Sequence, residues 1–255
     1  MKRIHKGAEP KRLAKYRKQN PNADWESFRL AEPEGYDAIR AQLRRDQGNL
    51  CCYCEIDLLR ADKKENEDFR VEHFRPKSRA KQGTHPALEW QNLLGCCHGG
   101  SQRSVADRSR FTSPEHSCDV TKKDRNPDGA MLNPLEIPAE ANLFEFNPFT
   151  GEILVNRRAC QRAGVDPKLV QGSIEMLNLN AKRLRNRRQR DLEKYDEALS
   201  SCEEELYDPA AARRLLAEEI LTRRGGGDWP RFFSAIRDFL APESDMLLKE
   251  MGYDG

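Results

Sequence analysis

Residues 69–77 read FRVEHFRPK. Apolar and polar side chains alternate from Phe69 to Phe74, the two-residue period of a half-buried strand. Pro76 closes the run because it has no N–H to give to a ladder. Two side chains with acid–base and metal-binding chemistry, Glu72 and His73, stand side by side near its end. Successive strand residues point to opposite faces, so the pair serves one site only if the strand end bends. Pro76 and the polar loop after it supply the place for that bend.

Cysteines frame this strand on both sides. Of the 8 in the chain, Cys51, Cys52, Cys54, Cys96, Cys97 and Cys118 crowd around it, and only Cys160 and Cys202 lie elsewhere. Those two read as ordinary core thiols. The basic N-terminus has no apolar run behind it, and no stretch approaches the roughly 20 apolar residues of a membrane span. A cytoplasmic protein is therefore expected, in a reducing compartment where crowded thiols mean metal before disulfides. Cys51 and Cys54 have the two-residue spacing of a chelating bite for Zn²⁺, and Cys97 and Cys118 complete four thiolates. An insertion of twenty residues splits the second pair. Cys52 and Cys96 are near enough in sequence to exchange roles with Cys51 or Cys97. A redox C-x-x-C is disfavoured, since no thioredoxin-like βαβ pattern surrounds it.

Two further segments belong with the strand: Trp90-x-Asn92-Leu93 and Cys118-Asp119-x-x-Lys122. Hydrolysing a phosphodiester needs a base for water, a divalent metal to neutralise the phosphate and leaving oxygen, and something to hold the base in orientation. Asn92 can hydrogen-bond across the loop after His73. Glu72 and Asp119 offer oxygen ligands of the kind that suit Mg²⁺ or Mn²⁺. His98 and His116 are rivals to Asp119 for the last ligand position.

The combined pattern resembles the HNH (ββα-metal) endonucleases, and the match runs from Cys51 to about Lys122. More closely, the chain is similar to the PtuB-like HNH effectors of Septu and retron-associated anti-phage systems. The likeness is carried by I-x-K-G-x-E-P (residues 4–10), C-x-Y-C-E (51–55), E-H-F-x-P-K (72–77), W-x-N-L-L (90–94) and C-D-x-x-K (118–122). The resemblance implies His73 as general base, Glu72 and Asp119 as ligands of a catalytic Mg²⁺ or Mn²⁺, and Asn92 as the residue that orients the histidine loop. It implies Cys51, Cys54, Cys97 and Cys118 as ligands of a structural Zn²⁺. It also implies a nuclease acting on nucleic acid, DNA before RNA, in a defence complex with an ABC/SMC-like ATPase. The final motif residue is Asp rather than His or Asn, and the insertion before it is long; both leave the third ligand open.

Outward from this centre the chain becomes helical. Helices are expected over residues 11–18 and 33–47, the latter ended by Gly48, and a small hairpin over the runs LFEF and EILV around the turn Asn147–Gly151. One long helix is expected from Val170 to Leu206, a second from Ala210 to Arg224, a Gly225–Gly227 breaker, and a short helix from Trp229 to Leu240. The fold class is α+β: a zinc-stapled ββα-metal core with N-terminal helices and a largely helical C-terminal half. The expected division is 1–160, nuclease with a helical arm, and 161–255, a helical partner-docking region.

Formal charge is +2, from 44 Lys+Arg against 42 Asp+Glu, so local clusters carry more information than the total. Arg75, Lys77, Arg79 and Lys81 follow the candidate base, where substrate phosphate would lie, and Lys122 is a further substrate contact. The run KRLRNRRQR (182–190) is either a phosphate-tracking helix face or a solvated or docking surface. Leu215, Leu216, Ile220 and Leu221, and Phe232, Phe233, Ile236, Phe239 and Leu240, read as helical core. Two alternatives to a DNA nuclease stand beside it: a non-catalytic zinc-stabilised adaptor for nucleic acid or protein, and a tRNA-cleaving toxin on the same scaffold.

Overall fold

The computed structural model describes residues 1–77, 86–222 and 227–255. Three helices open the chain: α1 (Lys11–Gln19), α2 (Trp25–Ala31) and α3 (Pro33–Asp46). α2 was not among the expected elements. Its start is set by Asp24, whose carboxylate accepts from the Ser27 N–H at 2.7 Å and satisfies one orphan donor of the first turn. Leu13, Trp25, Phe28, Ile39 and Leu43 bury the shared face of the three helices.

After α3 the chain reverses at Gly48, φ +59°, where a Cβ would stand 2.1 Å from the Trp229 ring. Only glycine fits both the left-handed backbone and the indole packed on it. The reversal delivers the knuckle around Cys51–Cys54 to a two-stranded antiparallel sheet, β1 (Arg70–His73) with β2 (Leu93–Cys96). The register pairs Arg70 with Cys96, Glu72 with Leu94 and His73 with Leu93. Gln47, fully buried, fastens this sheet to α3: its Nε2 donates to Gly95 O (2.8 Å) and its Oε1 accepts from Gly95 N (2.6 Å). β1 falls within the expected strand. β2 follows a single helical turn at Trp90–Asn92.

A short helix, α4 (Asp119–Lys122), closes this region. The expected hairpin is present as β3 (Phe144–Phe146) against β4 (Ile153–Val155). Then come α5 (Arg157–Ala163), α6 (Pro167–Met176), α7 (Lys182–Leu206), α8 (Pro209–Leu221), α9 (Phe233–Phe239) and α10 (Glu243–Glu250). The whole is an α+β chain with small antiparallel sheets among helices. The expected single helix from Val170 to Leu206 is two helices. Asn178 turns into the left-handed region, φ 46°, and donates to His116 O at 2.8 Å. Asn180 exchanges hydrogen bonds with both the N–H (2.8 Å) and the carbonyl (2.9 Å) of Ile153. Tertiary hydrogen bonds thus take the backbone out of the helix where propensity alone would continue it. Of the Gly225–Gly227 breaker, Gly225 and Gly226 lie outside the described residues, as does Arg224.

The apolar core does not part near residue 160. Cys160, Val170, Ile174, Leu177, Leu184 and Leu192 pack in one cluster with the cysteine knuckle and the N-terminal helices. A second cluster joins Leu50 to Leu199, Leu216, Leu221, Phe233, Ile236 and Leu248. The basic run of α7 belongs largely to this interior. Arg183, Arg187 and Arg188 are buried. Arg188 donates to Gly151 O and to Leu179 O and lies over the Phe146 and Phe232 rings. Arg187 pairs with Asp107 at 2.9 Å. These three arginines brace the fold, so the reading of 182–190 as a phosphate-tracking face fails for them.

Candidate active site

Of the expected site residues, Glu72, His73, Lys77, His98, Asp119 and Lys122 line one cleft of about 550 Å³, with Trp25 and Arg29 among its other walls; Asn92 and Arg75 do not line it. β1 presents Glu72 and His73, and α4 brings Asp119 and Lys122. The twenty-residue insertion between the last two knuckle cysteines does not separate Asp119 from β1: Arg70 on β1 pairs with Asp119 Oδ2 at 3.0 Å.

His73 is buried, and its ring meets Trp25 edge-on at 4.9 Å between centroids. Its Nε2 lies 3.0 Å from the Ala87 carbonyl oxygen. A carbonyl only accepts, so Nε2 carries the hydrogen and Nδ1 is left with the lone pair. Burial pulls the imidazole down to about 4, with Lys77 and Lys122 adding to that effect and the Ala87 bond opposing it. The ring is therefore a neutral base at neutral pH.

Asn92 sits beneath the loop that follows His73. Its Oδ1 accepts from Arg75 N at 2.7 Å, and its Nδ2 donates to Arg75 O (2.9 Å) and Pro86 O (2.7 Å). One buried amide thus ties Arg75 and Pro86 to the turn before β2. The ladder continues past β1 with Phe74 N donating to Asn92 O at 2.9 Å.

Glu72 is held at one oxygen. Tyr53 Oη donates to Oε1 at 3.2 Å and Lys122 Nζ sits 2.9 Å from the same atom. Burial raises this carboxyl, and the Lys122 charge works against that rise. Asp119 is pushed up to about 8, first by burial and then by the Glu72 charge, with Arg70 opposing. Two buried carboxyls that repel one another across a cleft are a donor set for a hard divalent cation, which removes the repulsion.

Lys122 is placed differently from the expectation of a substrate contact. It is 2% exposed, and besides Glu72 it donates to the carbonyls of His73 (3.3 Å) and Phe74 (3.1 Å). Lys77 is exposed at the cleft and paired with Glu26 (3.3 Å), whereas Arg75 is exposed on a neighbouring cavity and paired with Asp128 (3.0 Å). Arg79 and Lys81 lie outside the described residues. Of the two rival histidines, His98 lines the cleft and His116 is not among its lining residues. Sequence reasoning missed Tyr53, Trp25 and Arg70. Tyr53 carried a signal, since it stands inside the knuckle between two cysteines.

Behind the cleft, Cys51, Cys54, Cys97 and Cys118 bring four buried sulfurs within 4.8 Å of one another. Cys54 and Cys118 each approach Cys97 at 3.7 Å, and Cys51 lies 4.0 Å from Cys118. A tetrahedral site with Zn–S bonds of about 2.3 Å has sulfurs about 3.8 Å apart, so the spacing fits zinc. Backbone N–H groups of Cys97 and Gly99 approach the Cys51 and Cys97 sulfurs at 3.4 Å, the donors a thiolate wants.

No family model matches the chain. A protein of Escherichia coli named "Retron Ec83 putative HNH endonuclease" is 35% identical to it over 260 residues, a span covering 94% of this chain and 93% of that protein.

Proposed function

Because the chain belongs to the HNH endonucleases, we propose that it hydrolyses phosphodiester bonds, of DNA before RNA, with His73 as general base. The observation that carries this is the His73–Ala87 hydrogen bond at 3.0 Å, which fixes the tautomer and frees Nδ1 on a neutral ring in the cleft of Glu72 and Asp119. Nδ1 takes a proton from water as the water oxygen bonds to phosphorus. The opposite P–O ester bond breaks, and its oxygen leaves to be protonated from solvent. Asn92 keeps the loop after His73 in place, and Tyr53 with Lys122 holds one Glu72 oxygen so that the other faces the site. A divalent cation on Glu72 and Asp119, Mg²⁺ or Mn²⁺, supplies charge neutralisation for the phosphate and leaving oxygen when bound. His98 is the reserve ligand. Arg75 and Lys77 release their acidic partners to meet substrate phosphates. The four-cysteine site takes a structural Zn²⁺.

The retron in the relative's name supports a role in anti-phage defence of the PtuB-like, Septu or retron-associated kind, in the cytoplasm, alongside an ABC/SMC-like ATPase. Residues 161–255 are assigned to docking that partner. Among the described residues no helix is long and apolar enough to cross a membrane. The test incubates the purified chain, with and without an ABC/SMC-like ATPase, with plasmid DNA and total RNA in Mg²⁺ or Mn²⁺. Cleavage of DNA that H73A abolishes is the expected result. Cleavage of RNA alone moves the substrate to RNA, and cleavage undiminished in H73A overturns the assignment of the base.

A further inference from the structure

Beside the four-thiolate site stand two further buried cysteines, Cys52 and Cys96. They are not scattered in the core. Cys51, Cys52 and Cys96 form a second cluster whose sulfurs all lie within 4.8 Å of one another, and it shares Cys51 with the first. The Cys51–Cys96 separation is 3.7 Å, again a tetrahedral zinc edge. Cys96 also lies 3.7 Å from Asp119 Oδ1. All three thiols and the carboxylate are less than 9% exposed.

We infer that the knuckle is a two-metal thiolate cluster: a second Zn²⁺ is held by Cys51, Cys52 and Cys96, and Cys51 bridges the two ions. The inference rests on the zinc reading of Cys51, Cys54, Cys97 and Cys118. It places a soft-metal site beside the catalytic cleft, with Cys96 next to its Asp119.

The experiment is metal counting on the full chain, purified under reducing conditions with zinc supplied, then freed of loose metal by gel filtration. Elemental analysis is expected to give two zinc per chain in the wild type and one in C52S and in C96S. Cadmium substitution of the wild type is expected to show two thiolate-type resonances coupled through the shared sulfur, which decides the matter even if the serine variants fail to fold. One zinc in the wild type overturns the second site and leaves the first standing. Two zinc in both wild type and variants overturns the assignment to Cys52 and Cys96. No zinc at all sinks the four-thiolate reading with it. None of these outcomes bears on H73A, so the nuclease assignment stands or falls separately.

Discussion

Asn92 is the residue whose replacement tests the site most sharply. Asn92→Ala removes three hydrogen bonds of 2.7, 2.9 and 2.7 Å from a side chain that is 4% exposed. At about 1 kcal/mol each, with the buried Pro86 carbonyl left unpaired, the loss is roughly 2–4 kcal/mol. For a chain of this size that is a fall in Tm of roughly 4–12 °C. Because the freed loop begins at the residue after His73, kcat is expected to fall by about a hundredfold below the melting range, the penalty of about 1 Å of misplacement. Asn92→Asp is the more telling variant. It keeps the shape and still accepts from Arg75 N, but it sets a carboxylate oxygen against the carbonyls of Arg75 and Pro86. At neutral pH it is therefore expected to be at least as damaging as alanine. The assays are chemical denaturation and single-turnover cleavage. A stable, active N92D, or an N92A that loses under 0.5 kcal/mol and keeps its kcat, would refute the loop-clamp reasoning.

Lys122→Met strands the buried Glu72 carboxylate and is expected to cost about 3–5 kcal/mol. E72Q/K122M should recover most of that loss in a denaturation cycle, and no recovery would show that the pair is not coupled. Arg188→Met is expected to lower stability by about 2–3 kcal/mol, as two interior carbonyls lose their donor. It should leave the salt dependence of DNA binding as it was, whereas K77A should lower that slope by about one ion; a changed slope in R188M would return the α7 run to the substrate. Asp238 is pushed up to about 6, first by burial. Its protonated form favours the fold, a contribution fully present below the unfolded carboxyl value near 3.8 and lost as pH rises through about 6. The Tm difference between wild type and D238N should change across that window and stay flat above it; a flat difference throughout counts against the buried-acid account.

The strand around Glu72 and His73 was legible because a period of two is a property of the sequence itself, as α3 was from the helical spacing of Tyr36, Ile39 and Leu43 and the hairpin from its turn at Asn147–Gly151. Three kinds of feature were not. Short helices such as α2 and α5 have little periodic signal. Only their caps announce them: Asp24 and Asn156 at the starts, and Gly164 in the left-handed conformation after α5. The break between α6 and α7 carries no Gly or Pro, and the two asparagines that make it are satisfied by segments far away in sequence. Charge is the third. A run of arginines looks alike whether it faces water or a row of carbonyls, and only the structure separates Lys182 on the surface from Arg188 inside. Among the cysteines, spacing named a bite but not its members. Sulfur distances near a zinc edge choose Cys51, Cys54, Cys97 and Cys118, and the same distances bring Cys96 in.

The knuckle and the cleft share residues of backbone, and that limits how far either can be altered alone. Cys118 precedes Asp119 directly, with Lys122 one turn on. Cys96 pairs with Arg70 in the ladder that carries Glu72, and Tyr53 sits between Cys52 and Cys54. Cys118 is held at φ 60°, a strained value for a residue with a side chain. If thiolate coordination is what holds it there, losing the knuckle metal lets α4 rotate and carries Asp119 and Lys122 away from Glu72 together. The knuckle metal and the cleft cation would then bind cooperatively, although no residue of the four-thiolate set touches substrate. Folding free energy supplied by the first metal is, on this geometry, also the free energy that preorganises the second site.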